Sequence, residues 1–288
     1  MGINKNSLRF LLLAKKMGVD FSNTAMIGRQ CLNMPEAHFV DVMKNESGFT
    51  ESVETWQNMY RHRYAEKILQ YLGAKKVDSF DFSDYEQATF THDFNAPLPE
   101  QYKNQYTLVI DGGSLEHIFN FPVAIRNCME MIQQNGHFIS ITPSNNNFGH
   151  GFYQFSPELF YRVLHPNNGF KVNQMYYYDD KFASSWMSVI DPDVVRKRVT
   201  LINDKPVMLI LLAQRMELKT LFTQTPQQSD YQAAWEENKV EKKKSQSLSS
   251  KIKAMLPITF KIWLDRKINN KPNPAFYTKV DIVDMLKS

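Results

Sequence analysis

The sequence lacks several features that define large protein classes. Only two of its 288 residues are cysteines, Cys31 and Cys128, which is too few for a disulfide framework. No stretch approaches the ~20 consecutive apolar residues that cross a bilayer. The apolar segment LRFLLLAKKMG near the start is interrupted by Arg9 and is not followed by a cleavage site of small residues. These absences predict a cytoplasmic protein in a reducing compartment, with an amphipathic helix from about Leu8 to Met17.

A strong excess of one charge is also missing. The chain has 34 Lys and Arg against 30 Asp and Glu, a formal net charge of +4, and much of the excess lies beyond residue 238. So small a charge is weak evidence for nucleic-acid binding, which has little support beyond the KKK run at 242–244. We therefore expect no nucleic-acid partner.

Motifs for metal binding and for two common chemistries are absent as well. The seven histidines show neither the HxxxH spacing nor the His–Cys spacing that places metal ligands on one face. The GxSxG elbow of hydrolases and the Walker phosphate loop are not found either. The sequence thus predicts no metal site.

What remains is an ordinary globular composition with 43% apolar and 22% charged residues. The length suits one large domain with additions or two small ones. The character of the sequence changes near residue 216, where a polar and charged stretch begins. We expect a domain over residues 1–215, including N-terminal helices, and a polar linker with a basic, amphipathic C-terminal extension over 216–288.

Seven segments of the first domain are predicted as strands, and the clearest of them are apolar runs without alternation. They are TAMIG, KKVDSFDFS, TFTHDFN, YTLVID, HFISITP, FKVNQMYYY and PVMLILLAQ. Helical patterns lie between several of them, in ESVETWQNMYRHRYAEKILQYLGA, NFPVAIRNCMEMIQQ and SPELFYRVL. Strands of this kind alternating with helices predict an α/β fold with a doubly wound, mostly parallel sheet, followed by a helical C-terminal extension.

The order of these pieces resembles the class I S-adenosylmethionine-dependent methyltransferases over roughly residues 20–215. The most specific segment is YTLVIDGGSLEHIFN, which resembles the fourth strand of that Rossmann-like family and the loop after it. GHFISITPSNN resembles the next strand, and FSPELFYRVL resembles the helix that follows. The resemblance implies S-adenosylmethionine as cofactor and methyl transfer as activity.

The resemblance also implies cofactor-binding residues. In open parallel sheets the ligand lies outside the carboxyl ends of the strands. Asp81 would accept hydrogen bonds from ribose hydroxyls, and Asp93 with Phe94 would bind the adenine amino group and ring. Asp111 and Gly112 would face the methionine end.

The first loop, in TAMIGRQ, departs from the family pattern of an acidic residue followed by Gly-x-Gly-x-Gly. Gly28 keeps the first glycine, whereas Met26, Gln30 and Leu32 replace the acid and the other two glycines. Arg29 and Gln30 could bind a cofactor carboxylate or an acidic substrate group directly. Alternatively, they are plain helix residues on a fold that has lost its ligand.

Two groups of residues are candidates for catalysis and substrate binding. His117 and His150 follow strand ends, where a general base would lie, although a histidine after LE could equally cap or pack a helix start. Asn145, Asn146 and Tyr153 could form a polar wall for a hydrophilic substrate, or belong to an ordinary Asn-rich turn.

Two functional hypotheses follow. The first is methyl transfer to oxygen or nitrogen of a small polar acceptor, with a sugar of surface-polysaccharide biosynthesis as one candidate. The second is a non-catalytic binding or scaffolding protein that keeps the fold and binds a different ligand at the altered first loop. The apolar and basic segment 251–268 could pack on the domain, dock a partner protein or contact anionic membrane, in that order of preference.

Overall fold

The structure, a computed structural model, describes residues 2–179, 184–240 and 272–288. Its strands are β1 (Gly2–Ile3), β2 (Asn23–Ile27), β3 (Cys31–Leu32), β4 (Lys76–Asp81), β5 (Phe90–Thr91), β6 (Tyr106–Asp111), β7 (Ile132–Pro143), β8 (Phe170–Tyr178), β9 (Ser185–Val189), β10 (Met208–Arg215) and β11 (Tyr277–Asp281). Its α-helices are α1 (Lys5–Lys16), α2 (Glu36–Asp41), α3 (Val53–Arg61), α4 (Glu66–Tyr71), α5 (Phe121–Met131), α6 (Pro157–Val163), α7 (Pro192–Val195), α8 (Ser229–Val240) and α9 (Ile282–Lys287). The KKK run and the segment 251–268 lie outside the described residues.

Nine strands form one central sheet in the order β11-β9-β8-β10-β7-β6-β2-β4-β5. The five strands β5-β4-β2-β6-β7 are parallel and follow the 3-2-1-4-5 order of doubly wound folds. The fold class predicted from the sequence is confirmed. The other half of the sheet is antiparallel, with β10 inserted between β7 and β8. The sequence did not reveal this antiparallel half. A strand that is apolar at every position is predicted to be covered on both faces, but the pattern does not show whether it runs parallel or antiparallel to its neighbours.

Both faces of the parallel half are buried under helices. Side chains of β2 alternate between the two layers: Met26 belongs to the buried cluster that includes α1 and α4, whereas Ala25 and Ile27 belong to the cluster that includes α5 and α6. On β6 the same alternation places Ile110 in the cluster with α1 and α4 and Val109 in the cluster with α5 and α6. This burial fixes the strand register and thereby brings the strand ends to one edge of the sheet.

The N-terminal helix is confirmed as α1, but it is enclosed rather than amphipathic at the surface. All its residues from Asn6 to Ala14 are buried. The guanidinium of Arg9 is satisfied inside by Glu46, with Nε–Oε2 at 2.6 Å and Nη2–Oε1 at 2.8 Å. The charge that interrupts the apolar run is therefore one partner of a buried ion pair, a pair that is costly to break.

The long helix predicted over residues 51–74 is two helices, α3 and α4. The chain turns between them at Arg63, where φ is +65°. Backbone hydrogen bonds tie this turn to the first loop: Ala65 N donates to Gln30 O at 2.8 Å, and Leu32 N donates to Arg63 O at 2.7 Å. The segment after β2 is thus extended and paired, and is not the start of a helix.

The last described residues return to the domain. Strand β11 extends the sheet by pairing with β9, and Lys16 Nζ at the end of α1 donates to Leu286 O of α9 at 3.0 Å. In the described ranges, every helix is too short or too polar to cross a membrane.

Candidate functional site

A cleft of about 260 Å³ opens at the carboxyl ends of β2, β4, β5 and β6. It lies beside the point where the strand order reverses between β2 and β6, which is where doubly wound sheets bind ligands. Seven residues that the sequence offered as site candidates line it: Gly28, Arg29, Gln30, Asp81, Asp93, Phe94 and His117. These candidates therefore share one cleft and form part of its wall.

Gly28 makes the close approach that the first loop requires. Its φ is +72°, a conformation that favours glycine, and its N–H donates to Phe80 O at 2.7 Å. A β-carbon on Gly28 would lie 2.7 Å from the hydroxyl of Ser114. The loops after β2 and β6 consequently pack together only with glycine at this position.

Asp81 ends β4 with a half-buried carboxylate at the cleft. Its one hydrogen bond in the described structure is long, 3.5 Å from Ser83 N to Oδ1. The carboxylate keeps free acceptor capacity toward the cleft.

The segment after β5 supplies a carboxylate, an apolar ring and an imidazole. Asp93 is exposed, and hydrogen bonds to its Oδ1 from the backbone N–H (2.9 Å) and side-chain amide (2.8 Å) of Asn95 lower its pKa. Phe94 is buried and packs edge-on against Phe80. His92, which was missed in the sequence although it precedes Asp93 directly, lies 5.2 Å from the Phe94 ring. Burial lowers the pKa of His92, so a neutral imidazole lines the cleft.

Arg29 is committed to contacts within the protein. Its Nε lies 2.7 Å from Glu66 Oε1, its Nη1 donates to Glu86 O at 2.8 Å, and its guanidinium stacks 4.0 Å above the ring centre of Tyr64. Arg29 is not a helix residue, so the second alternative from the sequence is wrong in this respect, whereas direct contact with a ligand stays a prediction. In the described contacts Arg29 holds the loop after β4 against α4.

Gln30 fills the space between the first loop and the loop after β6. Its amide Nε2 donates to Ile27 O at 2.6 Å and to Gly28 O at 3.3 Å. A β-carbon on Gly112 would lie 2.7 Å from Gln30 Cδ. The Gln30 side chain therefore occupies space that a second glycine would leave open.

Asp111 is not brought to the cleft wall. Its buried carboxylate accepts hydrogen bonds from Ser114 N (2.8 Å), Leu115 N (3.2 Å) and Ser140 Oγ (2.7 Å). Burial raises its pKa. Asp111 thus organises its own loop, and Gly112 lies beneath Gln30; neither faces an open methionine site as the resemblance implied.

The two candidate bases lie together, over a buried acid. The rings of His117 and His150 are 5.4 Å apart. The side chain of Glu116 is 1% exposed, and burial together with the charge of Asp111 raises its pKa to about 8. Burial and the neighbouring His150 lower the pKa of His117. At neutral pH His117 is therefore an uncharged imidazole at the cleft.

The side chains of the Asn-rich loop make hydrogen bonds to distant segments of the chain. Asn145 Nδ2 donates to Asn203 Oδ1 at 2.8 Å, and Asn146 Nδ2 donates to Asn203 O at 2.9 Å. The hydroxyl of Tyr153 donates to Phe119 O at 2.6 Å. These donors hold neighbouring loops, so the predicted substrate wall is not at the cleft. Asn145 borders a second cavity, of about 390 Å³, together with Tyr177.

Among known proteins, similarity to this chain was found only in the backbone fold of solved structures. No protein-family model matches the sequence, and no curated protein matches it significantly. Solved structures of similar backbone include an S-adenosylmethionine-dependent methyltransferase from Mesorhizobium loti, with 12% identity, 71% of this chain and 95% of that chain covered, and a TM-score of 0.40. They also include the N-methyltransferase NodS from Bradyrhizobium japonicum WM9 in complex with S-adenosyl-L-homocysteine, with 10% identity, 73% and 86% covered, and a TM-score of 0.38.

A third similar structure is the [4+2]-cyclase SpnF, with 11% identity, 73% of this chain and 80% of that chain covered, and a TM-score of 0.41. A fold alone does not determine the chemistry of the protein that adopts it. Function must accordingly be argued from the site.

Proposed function

We propose that the protein transfers a methyl group from S-adenosylmethionine to oxygen or nitrogen of a small polar acceptor. The observation that carries the proposal is the convergence of Asp81, Asp93 and Phe94 on one cleft at the switch point of the sheet. Two carboxylates at neighbouring strand ends beside an aromatic ring suit the two hydroxyls, the amino group and the flat base of an adenosine.

The adenosine half of the cofactor fits the residues present. Asp81 would accept hydrogen bonds from the ribose hydroxyls, because little in the described structure uses its carboxylate. Asp93 would accept from the adenine amino group through Oδ2, since Asn95 uses Oδ1. Phe94 and the neutral His92 would border the base.

The methionine half fits only when Gln30 turns aside. Gln30 Nε2 already donates to Ile27 O and Gly28 O, the backbone carbonyls that a ligand ammonium group would otherwise use. We infer that the side chain is displaced on binding and that this displacement weakens cofactor affinity. When bound, the cofactor supplies a methyl group activated on a sulfonium sulfur.

The chain's own contribution would be alignment and proton removal. His117 lines the cleft as a neutral imidazole and can accept a proton from an acceptor hydroxyl, with His150 beside it. Phe82, 72% exposed, also lines the cleft. A polar acceptor with an apolar face, such as a sugar of surface-polysaccharide biosynthesis, is the class we would test first.

Methyl transfer can be tested with methyl-labelled S-adenosylmethionine and a panel of sugars and small amines. We expect label in one acceptor class with the wild type and at least a tenfold lower rate with Asp81→Asn. Asp84→Asn is the matched control, because Asp84 lies in the same loop, is exposed and does not line the cleft. Equal rates for the two variants would contradict the assigned role of Asp81.

A specific observation also favours the second function, a binding protein that keeps the fold. Gln30 covers Gly112, and Arg29 is engaged by Glu66 and by the loop after β4. Both features fill the space around the first loop with contacts from the chain itself. Failure of the wild type to bind S-adenosylhomocysteine at millimolar concentration would select this alternative.

A further inference from the structure

Three side chains from two loops meet at the mouth of the cleft. Glu116 and His117 lie in the short turn after β6, and His150 lies in the loop after β7. The two loops are neighbours because β6 and β7 are adjacent parallel strands. Their ligand atoms, one from each residue, all lie within 4.8 Å of one another.

The backbone holds the two loops in close contact. Phe152 N donates to Glu116 O at 2.7 Å. Gly151 has a φ of +78°, and a β-carbon there would lie 2.7 Å from Glu116 O. Glycine at 151 therefore allows the approach that brings His150 over Glu116.

The carboxylate between the histidines lacks a donor. The Glu116 side chain is 1% exposed, and neither of its oxygens accepts a hydrogen bond from any described residue. A buried carboxylate without a partner is costly unless it is protonated, paired or bound to a cation. The two imidazoles that approach it are half exposed, with 42% and 51% of their side chains accessible.

The distances suit a shared metal ion. Oε1 of Glu116 lies 3.5 Å from Nε2 of His150 and 3.9 Å from Nε2 of His117. Ligands bound to zinc at ~2.0–2.2 Å lie about 3.4 Å apart when the geometry is tetrahedral. Small side-chain rotations of the two exposed histidines would complete such an arrangement.

We propose that Glu116, His117 and His150 bind a divalent transition-metal ion of the zinc class. Two imidazoles with one carboxylate suit zinc and its neighbours, whereas magnesium and calcium prefer oxygen ligands alone. Three protein ligands leave a fourth position open, which is typical of catalytic rather than structural zinc sites. Because His117 lines the cleft, a metal ion held by these residues would border the cleft.

This inference does not rest on the proposed function. If both hold, His117 is a ligand rather than a free base, and an acceptor hydroxyl bound to the metal loses its proton more easily than in water. It also runs against the absence of a metal site predicted from histidine spacing. That spacing describes ligands on one helix, whereas these ligands come from two loops.

The test is a titration of the full-length, chelator-treated protein with zinc chloride by calorimetry, followed by cobalt(II) substitution. We expect one equivalent of zinc at micromolar affinity or better and the intense visible absorption of a tetrahedral cobalt site. His150→Ala and His117→Ala should each weaken zinc binding at least about tenfold and abolish the cobalt bands. Glu116→Gln should do the same.

The matched control is His62→Ala, because His62 is exposed, at the end of α3, and outside the cluster. Its affinity for zinc should equal that of the wild type. Zinc should also raise the melting temperature of the wild type and of His62→Ala, but not of His150→Ala. The exposed His150 makes that variant informative even if Glu116→Gln fails to fold.

Absence of heat up to millimolar zinc would overturn the proposal, as would equal affinity in the wild type and His150→Ala. In that case Glu116 is protonated and donates to a histidine instead. A parallel titration with S-adenosylhomocysteine separates the two proposals. Cofactor binding without zinc binding overturns only the metal site, and zinc binding without cofactor binding overturns only the methyltransferase function.

Discussion

Gln30 lies directly over Gly112, so that a β-carbon on Gly112 would be 2.7 Å from Gln30 Cδ. The same side chain donates to Ile27 O at 2.6 Å and lies 3.5 Å from the hydroxyl of Ser114. One glutamine thereby closes the space between the two loops at the switch point of the sheet. The altered first loop is rebuilt around this side chain.

Gln30→Ala should bind S-adenosylhomocysteine more tightly than the wild type. The substitution removes a group that the methionine end of the ligand must displace, and Ile27 O keeps its hydrogen bond from the Ser114 hydroxyl at 2.6 Å. We expect a gain of up to about tenfold, equivalent to ~1.4 kcal/mol, by calorimetry. Weaker binding would show that the Gln30 amide contacts the ligand itself.

Gly28→Ala should destabilise the protein more than Gly48→Ala. Both glycines have positive φ, +72° and +78°, so both substitutions strain the backbone. Only the β-carbon at 28 meets another group, Ser114 Oγ at 2.7 Å, whereas that at 48 meets nothing within 4 Å. Strain alone costs about 1 kcal/mol, and the clash adds to it. Urea unfolding of the two variants measures the difference, and equal losses would argue against the tight packing of the two loops.

Arg29→Ala should loosen the loop after β4 and weaken ligand binding at Asp81. The substitution removes the ion pair with Glu66 and the hydrogen bonds to Glu86 O and Gln87 O. We expect a loss of unfolding free energy of about 1–3 kcal/mol and faster amide exchange over residues 82–89. Arg61→Ala, which removes an exposed arginine outside the cleft, is the control. An unchanged exchange rate would show that Arg29 does not hold the loop.

The unfolding free energy should fall in mild acid, in part through His137. Burial lowers the pKa of His137 below its ordinary value of 6.5, so the unfolded chain takes up a proton more readily than the folded one. Neutral His137 makes its full contribution to the free energy of unfolding above pH ~6.5. This contribution is lost as the pH falls from ~6.5 through the pKa of His137 in the folded protein.

The check is the melting temperature of the wild type and of His137→Gln between neutral and mildly acidic pH. On acidification the melting temperature of the wild type should fall by a few degrees more than that of the variant. In alkaline buffer the two proteins should have the same melting temperature. A difference that persists in alkaline buffer would indicate a packing effect rather than titration.

Much of this architecture was predictable because it depends on local pattern. The apolar runs of β6 and β10 were recognised within two residues, and Ser156 caps α6 by accepting from Leu159 N, as its sequence predicts. Asp81, Asp93 and Phe94 line one cleft because strand ends in a parallel sheet converge on one edge, and their contact with a cofactor stays a prediction.

What could not be predicted depends on contacts between distant segments. The turn at Arg63 exists because the first loop pairs with it, and nothing in the helical pattern around it shows this. The pairing of Asn146 with the backbone around Asn203 and the position of His150 over Glu116 have the same origin. Each is fixed by the approach of two loops, which spacing along the chain does not record.

The central claim is that the cleft binds an S-adenosyl ligand through Asp81. Its most direct test is calorimetric titration of the wild type, Asp81→Asn and Asp84→Asn with S-adenosylhomocysteine. We expect micromolar binding by the wild type and Asp84→Asn, and at least tenfold weaker binding by Asp81→Asn. Absence of heat up to millimolar ligand, or equal affinity in all three proteins, would contradict it.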